Sequence, residues 1–150
     1  MPETAFLIAF VFIFGAIIGS FLNVVSLRFN TGVGLGGRSM CMSCGKTLRW
    51  MELIPVFSFI FLRGACRKCK SKISWQYPLI EFISGAIFVL ILLKFPPVSP
   101  LAALSTLMYL LTACILIVIA AYDAKHQIIP DPLVYAFDAL ALERVFEDGP

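Results

Sequence analysis

The chain has 150 residues, of which 60% are hydrophobic and only 14% are charged. Soluble domains are about 45–50% apolar and about 25% charged, so this composition excludes an ordinary soluble domain and indicates an integral membrane protein. The formal net charge is +3, and nine of the twelve Lys and Arg residues lie between positions 28 and 72, with Glu52 as the only acid among them. Loops rich in Lys and Arg stay on the cytoplasmic side of a membrane, so this loop is predicted to be cytoplasmic. No nucleic-acid partner is expected, because no aromatic-basic binding motif accompanies the charge.

Residues 5–27 form an almost unbroken apolar run, which is long enough to cross a bilayer as transmembrane helix 1. A cleaved signal peptide is not favoured, because the run is too long and the only charge before it is acidic. The N-terminus is therefore predicted to lie outside. Small and polar residues recur every three to four positions along one face of this helix, which favours close packing against another helix. These residues are Gly15, Gly19, Ser20 and Asn23.

Residues 28–76 are predicted to form a cytoplasmic module with a metal site. Two C-x-x-C pairs, separated by 21 residues, supply Cys41, Cys44, Cys66 and Cys69. Four thiolates from two tight turns are the ligand set of a tetrahedral structural zinc site, and a reducing cytoplasm favours metal over disulfides. The fifth cysteine, Cys114, lies in an apolar run and is expected to pack as a small hydrophobic residue.

The middle of the module, residues 53–62, is apolar and contains three phenylalanines in alternation. This pattern predicts a short strand or a surface-seeking segment that packs under the metal site. The segment is too short to span a bilayer.

Residues 77–95 are predicted as transmembrane helix 2, with Glu81 about one turn inside. An ionisable group at membrane depth is costly, so Glu81 is expected to be functional or paired. Residues 101–122 are predicted as transmembrane helix 3. Three crossings from an outside N-terminus bring Asp123 to the cytoplasmic membrane edge, on the same side as the cysteine module. His126, the only histidine, is expected to be a solvated loop residue.

Residues 123–150 are predicted to form a cytoplasmic loop followed by an incomplete helix. Residues 133–146 begin like a fourth span but are too few to cross a bilayer, and they carry Asp138, Glu143 and Arg144. The fold class predicted from the whole sequence is an all-α integral membrane protein, a polytopic helix bundle with a small cytoplasmic four-cysteine zinc-binding loop module. The chain is expected to be a fragment or a truncated reading frame.

Three groups of motifs resemble those of the type IV prepilin peptidases and together cover roughly residues 15–132. The first helix carries Gly19-Ser-Phe-Leu-Asn-Val-Val25. The module carries Cys41-x-x-Cys44, Ile54-Pro-Val-Phe-Ser58, Leu62-Arg-Gly64, Cys66-x-x-Cys69, Ile73-Ser74 and Tyr77-Pro-Leu-Ile-Glu81. The third group is Asp123 with Ile129-Pro-Asp131. The lesser departures are Met42, where many relatives have proline, and Glu52-Leu53, where Asp-Asn is common.

The resemblance implies a bacterial inner-membrane aspartic protease that cleaves pilin or pseudopilin precursors at the cytoplasmic face. It implies that Asp123 is the first catalytic aspartate, and Asp131 is expected to be a structural or capping group. It also implies an N-methyltransferase activity with S-adenosylmethionine as donor, for which Glu81 is a candidate contact. The second catalytic aspartate of such enzymes lies in a Gly-x-Gly-Asp motif, and Asp148-Gly149 is not that motif. The chain alone is therefore expected to be inactive, unless two copies of Asp123 pair in a dimer.

Two other functions remain open from the sequence. C-x-x-C pairs beside membrane helices can serve a thiol–disulfide oxidoreductase, although that chemistry generally needs an extracytoplasmic face and an activated thiolate. A non-enzymatic assembly factor that uses the zinc-containing module as a docking surface is the other alternative. Measuring the metal content distinguishes the oxidoreductase from a protein with a structural zinc site: bound zinc supports the structural site, and metal-free protein that readily forms a disulfide supports the oxidoreductase.

Overall fold

The computed structural model describes residues 2–32 and 34–147, and for Pro2 and residues 142–147 it describes the backbone alone. The helices are α1 (Pro2–Arg28), α2 (Phe57–Phe61), α3 (Gln76–Lys94), α4 (Pro100–His126) and α5 (Asp131–Glu147), and a 3₁₀ turn spans Trp50–Leu53. Two isolated β-bridges occur, but the described residues contain no strand. The predicted all-α fold class is confirmed.

Residues 53–62 do not form the strand that was one of their two predicted structures. The segment begins at the end of the 3₁₀ turn and continues into the five-residue helix α2. Pro55 precedes α2, and Gly64 follows it with φ +65, a conformation that glycine adopts without steric cost. The chain therefore turns at Pro55 and again at Gly64, and the short stretch between these turns forms a single helical turn instead of an extended strand.

Three described helices, α1, α3 and α4, are long and apolar enough to cross a membrane. The shortest, α3, has 19 residues, which at 1.5 Å per residue matches a hydrocarbon core of about 30 Å. The polytopic membrane bundle predicted from the sequence is therefore confirmed. The helix α5 is less apolar and lies outside this group.

The helix α4 starts and ends with recognisable caps. The hydroxyl of Ser99 accepts a hydrogen bond from the Ala102 backbone N–H at 3.1 Å, which satisfies one of the free N–H groups of the first turn. At the other end Gln127 adopts φ 54 and donates its N–H to the Asp123 carbonyl at 2.7 Å, a left-handed cap. His126 is thus the last residue of α4, stacked on Tyr122 with ring centroids 4.4 Å apart. The predicted loop position is wrong, because the helix continues beyond the end of the apolar run, but the side chain is exposed, as expected of a solvated residue.

Small residues bring α1 and α3 into close contact. A Cβ atom added to Gly15 would lie 2.8 Å from the Phe88 Cβ, and one added to Gly19 would lie 2.6 Å from the Ser84 hydroxyl. The side-chain amide of Asn23 crosses the same interface and donates to the Tyr77 carbonyl at 3.2 Å. The predicted packing face of α1 is confirmed, and Asn23 contributes a hydrogen bond between the helices, as membrane bundles often require.

The helix α4 closes the bundle against the other two spans through an apolar cluster of Leu22, Ile80, Ile117, Val118 and Ala121. Cys114 packs against this cluster, which confirms the expectation that it behaves as a small hydrophobic side chain. Leu133 of α5 packs there as well. The tripeptide Asp148-Gly-Pro150 and the side chains of Glu143 and Arg144 lie outside the described residues.

Candidate functional site

The first cysteine pair lies in a tight turn closed by the backbone. Met40 and Thr47 form an antiparallel bridge. Inside it, Cys41 donates its N–H to the Lys46 carbonyl at 2.9 Å, and Gly45 donates to the Cys41 carbonyl at 2.9 Å. Gly45 has φ 65, which a residue without Cβ adopts at little cost. The turn therefore presents the sulfurs of both cysteines to one side.

The second pair repeats the first, 25 positions later in the sequence. Ala65 and Lys72 form the bridge. Cys66 donates to the Ser71 carbonyl at 2.8 Å, and Lys70 donates to the Cys66 carbonyl at 3.0 Å. Lys70 has φ 59 at the position that corresponds to glycine in the first turn. The module is thus built from two copies of one local structure.

The two turns face each other and bring four sulfurs together. The Sγ atoms of Cys41, Cys44, Cys66 and Cys69 all lie within 4.8 Å of one another, and those of Cys41 and Cys69 are 3.8 Å apart. With Zn–S bonds of about 2.3 Å, a tetrahedral site needs sulfurs about 3.8 Å apart. The cluster can therefore hold a metal ion, and its spacing fits tetrahedral zinc.

Backbone and hydroxyl donors around the cluster favour the thiolate form of two cysteines. The backbone N–H of Ser43 and the hydroxyl of Ser71 lower the pKa of Cys41 to about 6. The single hydroxyl proton of Ser71 can instead be donated to the Cys69 sulfur, 3.1 Å away, and together with the Ser71 backbone N–H it lowers the pKa of that thiol. For Cys44 the backbone N–H of Lys46 acts in the same direction, but lost hydration and the three neighbouring sulfurs outweigh it and raise the pKa to about 11. Metal ligation needs thiolates, so the cluster is partly prepared for a cation.

Glu52 joins the first turn to the 3₁₀ turn. One carboxylate oxygen lies 2.7 Å from the Lys46 ammonium, and the other accepts the Arg49 backbone N–H at 2.8 Å. The Arg49 N–H and the Lys46 ammonium together lower the pKa of Glu52. The side chain is almost fully buried, so this ion pair fixes local geometry where an exposed pair would contribute little.

Glu81 joins the module to the membrane helices. Its carboxyl group accepts the Val56 backbone N–H at 2.7 Å, and the Ser20 hydroxyl of α1 also hydrogen-bonds it. Val56 has φ 62 and ψ −50, and Phe57 donates its N–H to the Pro55 carbonyl at 2.6 Å. These values define a γ-turn of the rare form, which is strained for any residue and especially for a β-branched one.

The core of the module is small. Phe59 is buried and its ring lies 4.7 Å from that of Trp75, the residue immediately before α3. Gly64 lies directly against it, since a Cβ there would be 3.0 Å from the Phe59 ring. One aromatic residue therefore packs between the second cysteine turn and the second span.

Asp123 lies on the last turn of α4, and its side chain is exposed. Its neighbour Tyr122 packs edge-on against Phe29, just after α1, with ring centroids 5.6 Å apart. Asp123 is thus at the end of the bundle from which the module extends. Asp131, also exposed, is the first residue of α5, where a carboxylate favours the positive end of the helix dipole.

The structure therefore brings the four predicted cysteines together and joins Glu81 to the module by a hydrogen bond. Asp123 lies apart from them, at the end of the bundle from which the module extends. Sequence reasoning missed the roles of Glu52, Val56 and Ser71. For Glu52 a signal existed, since it is the only acid in a strongly basic loop. For Val56 and Ser71 the residue types give no indication.

Comparison with known proteins identifies relatives across most of the chain. Residues 13–95 match the bacterial peptidase A24 N-terminal domain. A prepilin leader peptidase/N-methyltransferase of Klebsiella pneumoniae is 37% identical over 139 residues, which cover 85% of this chain and 59% of the relative. The enzyme of that name from Myxococcus xanthus is 38% identical over 81% of this chain and 35% of its own length. The Bacillus subtilis enzyme is 30% identical over 87% of this chain and 51% of its own length.

The matched region thus spans between about a third and three fifths of these relatives. No solved structure is significantly similar to the chain. The family model covers more than half of the 150 residues, and it includes α1 from residue 13 onward, both cysteine turns and α3. The chain belongs to the type IV prepilin peptidase family and carries its bacterial peptidase A24 N-terminal domain.

Proposed function

We propose that this chain contributes to a membrane aspartic endopeptidase that removes the leader peptide of type IV prepilins and pseudopilins. The observation that supports this most strongly is its identity of 30–38% to proteins named prepilin leader peptidase/N-methyltransferase. A precursor of this kind carries an apolar segment within the membrane, so its cleavage site lies at the membrane surface. An exposed carboxylate at the end of a spanning helix is suited to that position.

The proposed orientation has the N-terminus outside and the module in the cytoplasm of a bacterium, at the inner membrane. Nine basic residues and one acid between positions 28 and 72 support it, because Lys and Arg stay on the cytoplasmic side. Asp123 and the module lie at the same end of the bundle, so both would face the cytoplasm.

In the proposed mechanism Asp123 shares hydrolysis with a second carboxyl group. One carboxylate removes a proton from water, whose oxygen attacks the scissile carbonyl carbon. The other carboxylic acid donates a proton as the C–N bond breaks and the amine leaves. Two close carboxyl groups do not both ionise readily, and this separates the acid role from the base role. The family resemblance implies a Gly-x-Gly-Asp motif for the second group, and this sequence does not contain one. We therefore propose that activity needs a carboxyl group from a longer form of the chain or, less simply, from a second copy.

The proposed metal is a structural zinc ion held by the four cysteines, which would supply a rigid cross-link and no catalytic step. N-methylation with S-adenosylmethionine as donor is proposed from the names of the relatives. A contact between Glu81 and that cofactor stays a prediction. The observed bond to Val56 supports a second role for Glu81, which is to hold the module against the spans.

The test is cleavage of a prepilin by membranes that contain the chain, alone and extended by its downstream coding sequence. We expect Asp123→Asn to abolish cleavage while the protein still inserts. Asp131→Asn, a matched change eight residues away on the next helix, should leave cleavage largely intact. Normal cleavage by the Asp123→Asn variant would remove this residue from the mechanism.

The two alternative functions make different predictions. A thiol–disulfide oxidoreductase would be purified without metal and would readily form a disulfide between cysteines of the cluster. A non-enzymatic assembly factor would keep its zinc, and the variant with Asp123 replaced would still perform its role in cells. Zinc bound at the cluster together with loss of cleavage in Asp123→Asn would exclude both.

A further inference from the structure

The module exposes an apolar surface that its small core does not use. Trp50, Met51, Ile54 and Phe61 line one open cavity of about 300 Å³. Phe61 belongs to α2, and Phe57 and Ile60 of that helix are exposed as well. We call these six residues the apolar surface. Trp50 is 74% exposed and Phe61 is 83% exposed. An exposed apolar surface of this kind usually marks a binding site for protein or membrane.

The residues around the apolar surface are basic. Arg67 lines the same cavity, Arg49 immediately precedes Trp50, and Arg63 follows α2; all three are exposed. The only acid of the module, Glu52, is already neutralised by Lys46 at 2.7 Å. The surface therefore combines aromatic side chains with exposed positive charge, which is complementary to anionic headgroups above an acyl region.

The chain itself places this surface close to the bilayer. The module is connected to a spanning helix at both ends, α1 before it and α3 after it. Trp75, the residue immediately before α3, packs on Phe59 of α2 with ring centroids 4.7 Å apart. The helix that carries Phe57, Ile60 and Phe61 thus lies next to the start of a span, where tryptophan is typically found at the membrane interface.

We propose that the apolar surface lies in the headgroup region of an anionic leaflet, with Trp50, Phe57 and Phe61 inserted and the surrounding arginines on lipid phosphates. This would hold the metal centre flat against the membrane, next to the end of α4. The inference rests on membrane insertion of the spans and goes beyond the proposed peptidase activity. No precursor is cleaved in its test, so failure of one proposal does not decide the other.

Intrinsic fluorescence can test this directly, because Trp50 and Trp75 are the only two tryptophans of the chain. The variant Trp75→Phe keeps a ring against Phe59 and leaves Trp50 as the sole reporter. The full chain would be placed in lipid nanodiscs of phosphatidylcholine alone or mixed with phosphatidylglycerol, with and without bromine on the acyl chains. In the anionic discs we expect blue-shifted emission that loses most of its intensity to bromine and little to aqueous iodide.

Charge and surface dependence complete the test. Raising the salt to about 1 M, where the Debye length is about 3 Å, should reduce bromine quenching in the anionic discs. Phe61→Ser should reduce it too, whereas the control Leu35→Ser, also exposed but outside the apolar surface, should not. Bound zinc, measured in each variant, should be unchanged.

Three outcomes would overturn the proposal. Quenching by iodide but not by bromine would mean that Trp50 stays in water. Protection from both quenchers would mean that protein, such as a second copy, covers the surface. Equal bromine quenching in neutral and anionic discs, unaffected by salt, would remove the role of anionic lipid.

Discussion

The paired helices α1 and α3 and the cysteine module meet at one end of the molecule but are stabilised by different interactions. Lipid is as apolar as the side chains that face it, so burial drives helix association in a membrane only weakly, and close packing with hydrogen bonds must replace it. Gly15, Gly19 and Gly85 provide that close approach, and Asn23 adds a hydrogen bond between helices.

The described residues of the module form neither long helices nor a large core. Its buried apolar side chains include Phe59 and Cys66, and the second of these is a proposed metal ligand. A segment of about 50 residues buries little surface, so the module is expected to be marginally stable without a cross-link. The stability of the α1–α3 pair should therefore depend on side-chain volume at its glycines and not on metal. The stability of the module should depend on metal and much less on added volume.

The largest effect is expected from loss of the proposed zinc ion. Structural zinc contributes on the order of 10–16 kcal/mol to small zinc-binding peptides near neutral pH. Cys66→Ser should therefore abolish zinc binding and open the module to trypsin, which cleaves after Lys and Arg. The helical circular dichroism of the spans should remain. Zinc content by mass spectrometry and the positions of tryptic cleavage are the measurements.

The matched control is Cys114→Ser, the same chemical change at the cysteine that packs within the bundle. It should keep the zinc and leave the module resistant to trypsin. Loss of zinc in both variants, or an intact module in the Cys66→Ser protein, would contradict the comparison.

A smaller effect, on the stability of the bundle and not of the module, is expected when α1 is crowded against α3. A Cβ at Gly15 would already lie 2.9 Å from the Gly85 backbone, so Gly15→Leu must separate the helices, at a cost of about 1–3 kcal/mol or more. The thermal midpoint of the bundle in detergent should fall while zinc content is unchanged. Gly34→Leu is the control, because nothing lies within 4 Å of a Cβ at that glycine. Equal midpoints for the two variants would show that the contact does not stabilise the bundle.

What the sequence predicts well in both regions follows from strong, local rules. Apolar runs of about 20 residues identify spans because a bilayer has a fixed thickness. Cysteine spacing identifies the cluster because each C-x-x-C turn positions two sulfurs by itself. The small residues of α1 indicate a packing face because their helical period is regular.

The errors arise where local geometry competes with a weak pattern. The alternating phenylalanines of residues 53–62 have the period of a strand, but five residues of α2 are too few for a period to decide. The apolar run ends before His126, yet helical hydrogen bonds do not depend on hydropathy and α4 continues to its left-handed cap at Gln127. The ion pair of Glu52 with Lys46 depends on turn geometry that no local pattern specifies.

The last prediction concerns the link between the two regions, where Glu81 of α3 accepts the Val56 N–H of the module at 2.7 Å. Strain of this backbone type costs about 1–3 kcal/mol, and it persists only where the surroundings enforce it. Glu81→Ala should release the turn and expose α2 to protease, with a loss of about 1–3 kcal/mol for the unpaired N–H. Glu81→Gln retains an acceptor oxygen and should protect α2 nearly as well as the wild-type residue.

Rescue distinguishes this link from a general effect of Glu81 on α3. Glycine adopts positive φ without steric cost, so Val56→Gly should restore the part of the protease protection that strain removes in the Glu81→Ala background, and should change little alone. A purely structural defect of the span would not respond to a change 25 residues away in the sequence. If Glu81→Gln, which keeps an acceptor oxygen, is as damaging as Glu81→Ala, then acceptance of this N–H is not what joins the module to the membrane helix. In that case the charge of Glu81, and not its geometry, must explain why an acid lies at this depth.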